Sequence, residues 1–234
     1  LTAGDPDIKK SERNIRQALD GGVDILELGV PFSDPTADGP TIQAAALRAL
    51  DNGMTVKKAL GMVSSLRRKY DNPIVLFGYA NPFFRYGYER LCRDAAAAGV
   101  DGFLVVDLPF EESEEFSRKL AKRNMHLIRL IAPTTSAARA KVILKDAKGF
   151  VYYIMVRGVT GARKGVARDV AGKIKELRRA TRIPIAAGFG VSSGKQAREI
   201  SNMADAVVAG SALVQAAAGG KLVRLVKDLR RGLG

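Results

Sequence analysis

Two carboxylates stand where proton chemistry would need them. Glu27 lies inside an apolar run, Asp24-Ile25-Leu26-Glu27-Leu28-Gly29. A carboxylate inside a buried strand is costly unless it is paired or protonated. Period-two alternation puts Glu27 on the side of Ile25, opposite Leu26 and Leu28. If that side faces an enclosed apolar interior, the Glu27 pKa rises toward neutrality and suits general acid/base work. The competing reading is a structural ion pair with a lysine or arginine of a neighbouring strand. The next loop, Pro31-Phe32-Ser33-Asp34-Pro35-Thr36-Ala37-Asp38-Gly39-Pro40, carries two more acids. Its prolines fix φ and lower the entropy of ordering, so the loop is shaped. Asp34 or Asp38 supplies a second carboxylate, or both are turn and N-cap residues.

Three glycine turns follow late apolar runs: Gly158-Val159-Thr160-Gly161, Gly188-Phe189-Gly190 and Gly210-Ser211. Glycine lets backbone N–H groups approach an anion, and a helix N-terminus adds its dipole. Two such turns at neighbouring strand ends favour a phosphate site over plain turns. There is one histidine, His126, and one cysteine, Cys92. Ser-His-Asp chemistry and multi-histidine metal sites therefore have almost no material, and no metal site is expected. No intrachain disulfide is possible, which fits a reducing, cytoplasmic setting. His126 reads as a strand end and Cys92 as a packed thiol. Phe83, Phe84, Tyr86 and Tyr88 read as core unless exposed together. Arg178-Arg179 and Arg230-Arg231 read as solvated helix ends facing the dipole.

The elements that must position these groups alternate along the chain. Strand-like runs cover 24–29, 73–79, 102–106, 127–131, 150–155, 183–187 and 206–209, mostly apolar and short. That pattern suits parallel strands buried on both faces. Leu1-Thr2 reads as the last rung of an eighth strand whose beginning lies before Leu1. Helical segments are expected at 8–19, 41–50, 56–70, 89–98, 111–123, 136–145, 169–180, 195–203, 212–217 and 222–233. Eight units of about 29 residues match a (β/α)₈ TIM barrel forming one domain over residues 1–234. A doubly wound open sheet is the alternative, weakened by the absence of a GxGxxG turn. In a barrel the active site lies at the C-terminal strand ends, where Glu27, Asp38 and the glycine turns fall.

The 234 residues are 47% hydrophobic, which excludes a disordered chain, and no apolar run has the ~20 residues of a membrane helix. The net charge of +14 makes nucleic acid, anionic membranes and phosphorylated ligands candidate partners. Absence of tryptophan, sparse aromatics and scattered cations count against nucleic acid. Neither nucleic acid nor a membrane is expected as partner.

The run from Leu26 to Gln43 resembles the signature of the tryptophan synthase α family. Leu1 to Asp7, Asp107-Leu108-Pro109, Gly158 to Arg163, Gly188 to Ser192 and Gly210 to Val214 match the same family in order. The resemblance implies a lyase that cleaves indole-3-glycerol phosphate into indole and glyceraldehyde 3-phosphate. It implies Glu27 as the acid/base and Asp38 as the partner of the indole N–H. It implies Gly161, Gly190, Gly210 and Ser211 around the phosphate. Ile42, Tyr79, Leu104, Tyr152 and Phe189 would line the indole side, and Thr160 would sit on a closing lid. Pro31, Asp34, Asn81 and Pro82 would face a tryptophan synthase β subunit in an α2β2 heterotetramer. That subunit would hold pyridoxal phosphate, and this chain would need no cofactor. Another sugar-phosphate barrel enzyme would share the glycine turns but leave the Leu26–Gln43 signature unexplained.

Overall fold

A computed structural model describes residues 1–154, 164–188 and 190–234, with backbone alone for 164–169. Eight short strands are β1 (Leu26–Gly29), β2 (Ile74–Gly78), β3 (Gly102–Val105), β4 (His126–Leu127), β5 (Arg129–Ile131), β6 (Val151–Ile154), β7 (Ile185–Gly188) and β8 (Ala206–Val207). All pair in parallel, β1 to β4 in one ladder and β5 to β8 in the next. Thr2 adds a parallel bridge to Gly29, the expected last rung of a leading strand. β4 and β5 are the two halves of the expected 127–131 run. Ile128 separates them, yet its N–H still donates to the Phe103 carbonyl at 2.8 Å.

The strands are buried on both faces, which explains their unbroken apolar runs. Leu26, Leu28, Ile74, Leu76 and Phe103 pack outward against the helices. Val75, Leu104 and Ile128 point the other way and gather Phe77, Val106, Leu130, Phe150 and Tyr152 around them. This second cluster fills the barrel, as closure of eight parallel strands requires.

The helices are α1 (Ile8–Asp20), α2 (Pro40–Asp51), α3 (Val56–Arg67), α4 (Ala80–Tyr86), α5 (Tyr88–Ala98), α6 (Glu114–Ala121), α7 (Ala137–Leu144), α8 (Lys164–Ala180), α9 (Gly194–Ser201), α10 (Ser211–Ala218) and α11 (Leu222–Leu233). Asp7 caps α1 by accepting from Lys10 N–H at 2.8 Å. Gly39 precedes Pro40, whose ring fixes the first helical φ of α2. α5 ends at Gly99 in the left-handed region, at φ +89°.

Three expectations need correction. The 111–123 segment is not one helix. Ser113 Oγ donates back to the Phe110 carbonyl at 2.7 Å, closing a 3₁₀ turn over Phe110–Glu112 before α6 begins. The aromatic loop contains α4, with Pro82 in its first turn, where a missing N–H costs nothing. Phe83 is fully buried there, while Phe84 is 68% exposed.

Arg178 and Arg230 are not simply solvated. Arg178 donates to Asp205 Oδ1 at 2.9 Å, and Asp205 Oδ2 accepts from the N–H of Ile185 at 2.9 Å. The same clasp joins Arg67, Asp101 and the N–H of Ile74, the last at 2.7 Å. A related pair, Arg230 to Asp24 at 2.9 Å, ties α11 to the entry of β1. In each case an aspartate just before one strand meets an arginine of an outer helix. Exposed ion pairs contribute about 0–1 kcal/mol. A strand N–H left without a partner costs about 1–3 kcal/mol. The backbone bond is therefore the larger part of the clasp. Asp205→Ala is expected to lower the urea unfolding free energy by about 1–3 kcal/mol, and Arg178→Gln by less than about 1. Equal losses in the two variants would make the ion pair, not the strand bond, the main contribution.

Candidate active site

Glu27 pairs with Val75 across β1 and β2, and Val75 belongs to the cluster inside the barrel. Its neighbours Leu26 and Leu28 face the helices instead. The Glu27 side chain therefore points inward, half-buried, from the second residue of its strand. Among the described residues no hydrogen bond or ion pair holds its carboxyl, so the structural ion-pair alternative is not what the fold builds. Burial pushes its pKa up to about 7. Tyr152 of β6 lies in the same interior cluster. Burial raises the Tyr152 pKa, and the charge of Glu27 raises it further, so the two groups sense each other.

Asp38 is also half-buried. It does not cap α2: Gly39 holds that position. Its Oδ2 instead accepts from the Tyr79 hydroxyl at 3.0 Å. Burial raises its pKa, and the Tyr79 hydrogen bond works in the opposite direction. Gln43 Nε2 donates to the Asp38 carbonyl at 3.0 Å and to the Pro35 carbonyl at 3.4 Å, fixing the loop backbone from α2. Asp34 is exposed and accepts from Ser33 Oγ, the part of a turn acid. The two loop acids thus separate, and only Asp38 reaches the barrel side.

Apolar surface surrounds the two carboxylates. Leu104 and Tyr152 come from the barrel interior. Tyr79 is 3% exposed and its ring lies 5.4 Å from that of Phe32. Ile42 is half-buried in the first turn of α2. Phe189, Thr160 and Gly161 lie outside the described residues.

The late glycines have different tasks. At Gly188 a Cβ would meet the Val208 carbonyl oxygen at 2.2 Å, so glycine lets β7 and β8 approach. Gly190 adopts φ +71°, which L side chains rarely take. At Gly210 a Cβ would meet nothing within 4 Å, so the space before α10 is open. Ser211 opens α10, whose first N–H groups have no acceptor within the helix. Gln215 of α10 donates to Thr41 Oγ1 of α2 at 2.8 Å. The open helix end and the Asp38 loop are thus held on one frame.

Pro31 is buried within its loop, whereas Asn81 is exposed and Pro82 half-buried. Cys92 is fully buried and burial pushes its thiol up to about 11, so it is a packed, unreactive group. His126 is half-buried at the start of β4, away from the C-terminal strand ends. Among the described residues no group of three or more His, Cys, Asp or Glu is arranged to hold a metal ion. No described helix is long and apolar enough to cross a membrane. Two residues escaped the sequence reading. Asp107 accepts from Ala80 N–H at 2.7 Å, and Gln43 holds the Asp38 loop. Asp107 carried a signal, an acid before Leu-Pro at a strand end; Gln43 carried none beyond its place in the signature.

Comparison with known proteins agrees with this geometry. The family model described as "Tryptophan synthase alpha chain" matches residues 1–227. The tryptophan synthase alpha chain of Geobacter sp. (strain M21) is 49% identical over 215 residues, covering 92% of this chain and 80% of that one. A solved structure from Aquifex aeolicus VF5 is 41% identical with a TM-score of 0.92, covering 100% of this chain and 90% of that chain. Tryptophan synthase from M. tuberculosis, in an open form, superimposes with a TM-score of 0.91 at 32% identity, covering 100% and 90%. The fold is a (β/α)₈ barrel, and the chain belongs to the tryptophan synthase α chain family.

Proposed function

We propose that Glu27 and Asp38 carry the α reaction of tryptophan biosynthesis in this chain, the retro-aldol cleavage of indole-3-glycerol phosphate to indole and glyceraldehyde 3-phosphate. The observation that carries the reading is the Glu27 carboxyl, unpaired among the described residues and facing the barrel interior with a pKa of about 7. Such a group can give and take a proton near neutrality.

Protonated Glu27 delivers its proton to the indole carbon that bears the glycerol chain, and the ring becomes a cationic indolenine. Asp38, ionised, accepts the indole N–H and stabilises that charge. Glu27, now a carboxylate, takes the proton of the adjacent glycerol hydroxyl. The carbon–carbon bond breaks, its electron pair returns to the ring, and the hydroxyl oxygen becomes the aldehyde. Glu27 ends as it began, so no proton is gained or lost.

The phosphate rests on Gly161, Gly190, Gly210, Ser211 and the N-terminus of α10, and Thr160 belongs to the lid that closes toward Asp38. Ile42, Tyr79, Leu104 and Tyr152 enclose the indole, with Phe189 beside them. The partner is the tryptophan synthase β subunit in an α2β2 assembly. Exposed Asp34, in the loop after β1, and Asn81 and Pro82, in the first turn of α4 after β2, lie at the same strand ends and suit that contact. Pro31 would act by shaping its loop. The chemistry written here asks for no cofactor on this chain; the pyridoxal phosphate belongs to the β subunit. The single, buried Cys92 agrees with a cytoplasmic site of action.

Glu27→Gln should retain the melting temperature but lower indole release from indole-3-glycerol phosphate by about 10³-fold or more, with and without β subunit. Near-normal turnover would remove Glu27 from the mechanism. The pH profile of kcat/KM should be bell-shaped. Glu27 must start protonated, so activity falls as pH rises through about 7. Asp38 must be ionised, so activity falls again as pH drops through its raised pKa. A flat profile between pH 6 and 8, as an approximate working window, would contradict this division of labour. Gly210→Asp puts a carboxylate into open space at the N-terminus of α10. It should fold normally yet raise KM by about tenfold or more through repulsion of the phosphate. Unchanged binding of glycerol phosphate would move the phosphate elsewhere.

A further inference from the structure

Tyr79 ends the inward-facing series of β2, and its ring closes the pocket against Phe32. Its hydroxyl has a separate task. It accepts from the Ala37 N–H at 3.0 Å and donates to Asp38 Oδ2 at 3.0 Å. A phenol has one proton to give. The Ala37 N–H can only donate, so it occupies a lone pair of the hydroxyl oxygen and turns the proton toward Asp38. The direction of the hydrogen bond is thereby set by the backbone.

The other end of Tyr79 is anchored as well. Its backbone caps α4, and the next N–H, that of Ala80, donates to Asp107 Oδ1 at 2.7 Å. Asp38, Tyr79 and Asp107 lie beyond the C-terminal ends of three consecutive strands, β1, β2 and β3. Direct contacts link all three loops through two adjacent residues, Tyr79 and Ala80. Asn81-Pro82, on the exposed side, follows Tyr79 by two residues.

We propose that Tyr79 is a positioning residue for the α reaction, its hydroxyl orienting the Asp38 carboxylate toward the indole nitrogen. The inference rests on the reading of Asp38 given above. Two features support it. Loss of the phenol oxygen frees the carboxylate and the Ala37 N–H, while Gln43 and the bond from Asp38 N–H to the Pro35 carbonyl at 3.0 Å still hold the rest of the Asp38 loop. The Tyr79 hydrogen bond also counters the burial that raises the Asp38 pKa. Without it only burial remains, and the carboxyl holds its proton to a higher pH.

The test is a double-mutant cycle on the full chain, with Tyr79→Phe, Asp38→Asn and the pair, measuring indole release from indole-3-glycerol phosphate. Tyr79→Phe keeps the ring and its packing against Phe32. It is expected to lower kcat about 10- to 100-fold, the range of one hydrogen bond to a charged group. KM should stay within about twofold, because binding of the ring and phosphate is unchanged. The acid limb of the pH profile should move to higher pH. In the Asp38→Asn background Tyr79→Phe should cost less than about twofold, since residues acting through one another are not additive. Three results would overturn the proposal. Unchanged kcat and acid limb in Tyr79→Phe, with Asp38→Asn impaired, would sink it while leaving Asp38 in place. Equal losses in both backgrounds would mean that Tyr79 acts independently of Asp38. Full activity in Asp38→Asn would remove the role of Asp38 and the positioning role with it.

Discussion

Glu27 is set among apolar side chains with no partner among the described residues, and the barrel has to carry that cost. A charged carboxylate in such a place is unstable relative to its protonated form, so the group settles near neutrality. An ion pair would have removed the cost and also the chemistry, since a paired carboxylate stays ionised. Everything around Glu27 follows from avoiding such a pair. Val75, Leu104, Ile128 and Tyr152 supply surface without charge. The second carboxylate, Asp38, is kept in the adjoining loop and given a hydroxyl instead of a cation. The two acids therefore occupy different environments and can hold different protonation states at one pH, as a divided acid/base mechanism requires.

Strength and chemistry sit at opposite ends of the strands. The aspartates of the clasps, Asp24, Asp101 and Asp205, come just before β1, β3 and β8, at the N-terminal ends. There charge is paired, and two of the three carboxylates also satisfy a strand N–H. Glu27 within β1, and Asp38 and the N-terminus of α10 beyond the C-terminal strand ends, keep polar capacity that the described residues do not fill. A barrel can leave one rim under-satisfied because the other rim is tied.

The eight strand runs were legible because burial on both faces leaves an apolar signature that needs no partner to be read. Glu27 was legible for the same reason: a carboxylate stands out against Leu26 and Leu28. The Asp38 loop could be located but not resolved. Whether Asp34 or Asp38 turned inward depended on Tyr79, which is distant in sequence and adjacent only after β1 pairs with β2. α4 was hidden because aromatic residues and a proline resemble loop until Phe83 is seen to fill the core. Arg178 and Arg230 looked solvated because the aspartates they meet come from other parts of the chain. Gly188 and Gly210 looked alike in sequence, yet one admits a neighbouring strand and the other leaves open space. In each case the missing information was a long-range contact.

The net charge of +14 has a place in this picture that local contacts do not supply. Many cations are tied to acids on neighbouring helices, as Lys119 and Arg123 are to Glu89 and Arg139 is to Glu111. Such exposed pairs add little stability. The excess that remains acts through a field screened beyond about 8 Å at physiological salt. On the proposed reading, Gly190, Gly210 and Ser211 would bind the substrate's phosphate by contact, and the surface charge would act on it first at a distance. No lysine or arginine needs to stand beside Glu27, where its charge would pull the carboxyl back to its ordinary range and disable it.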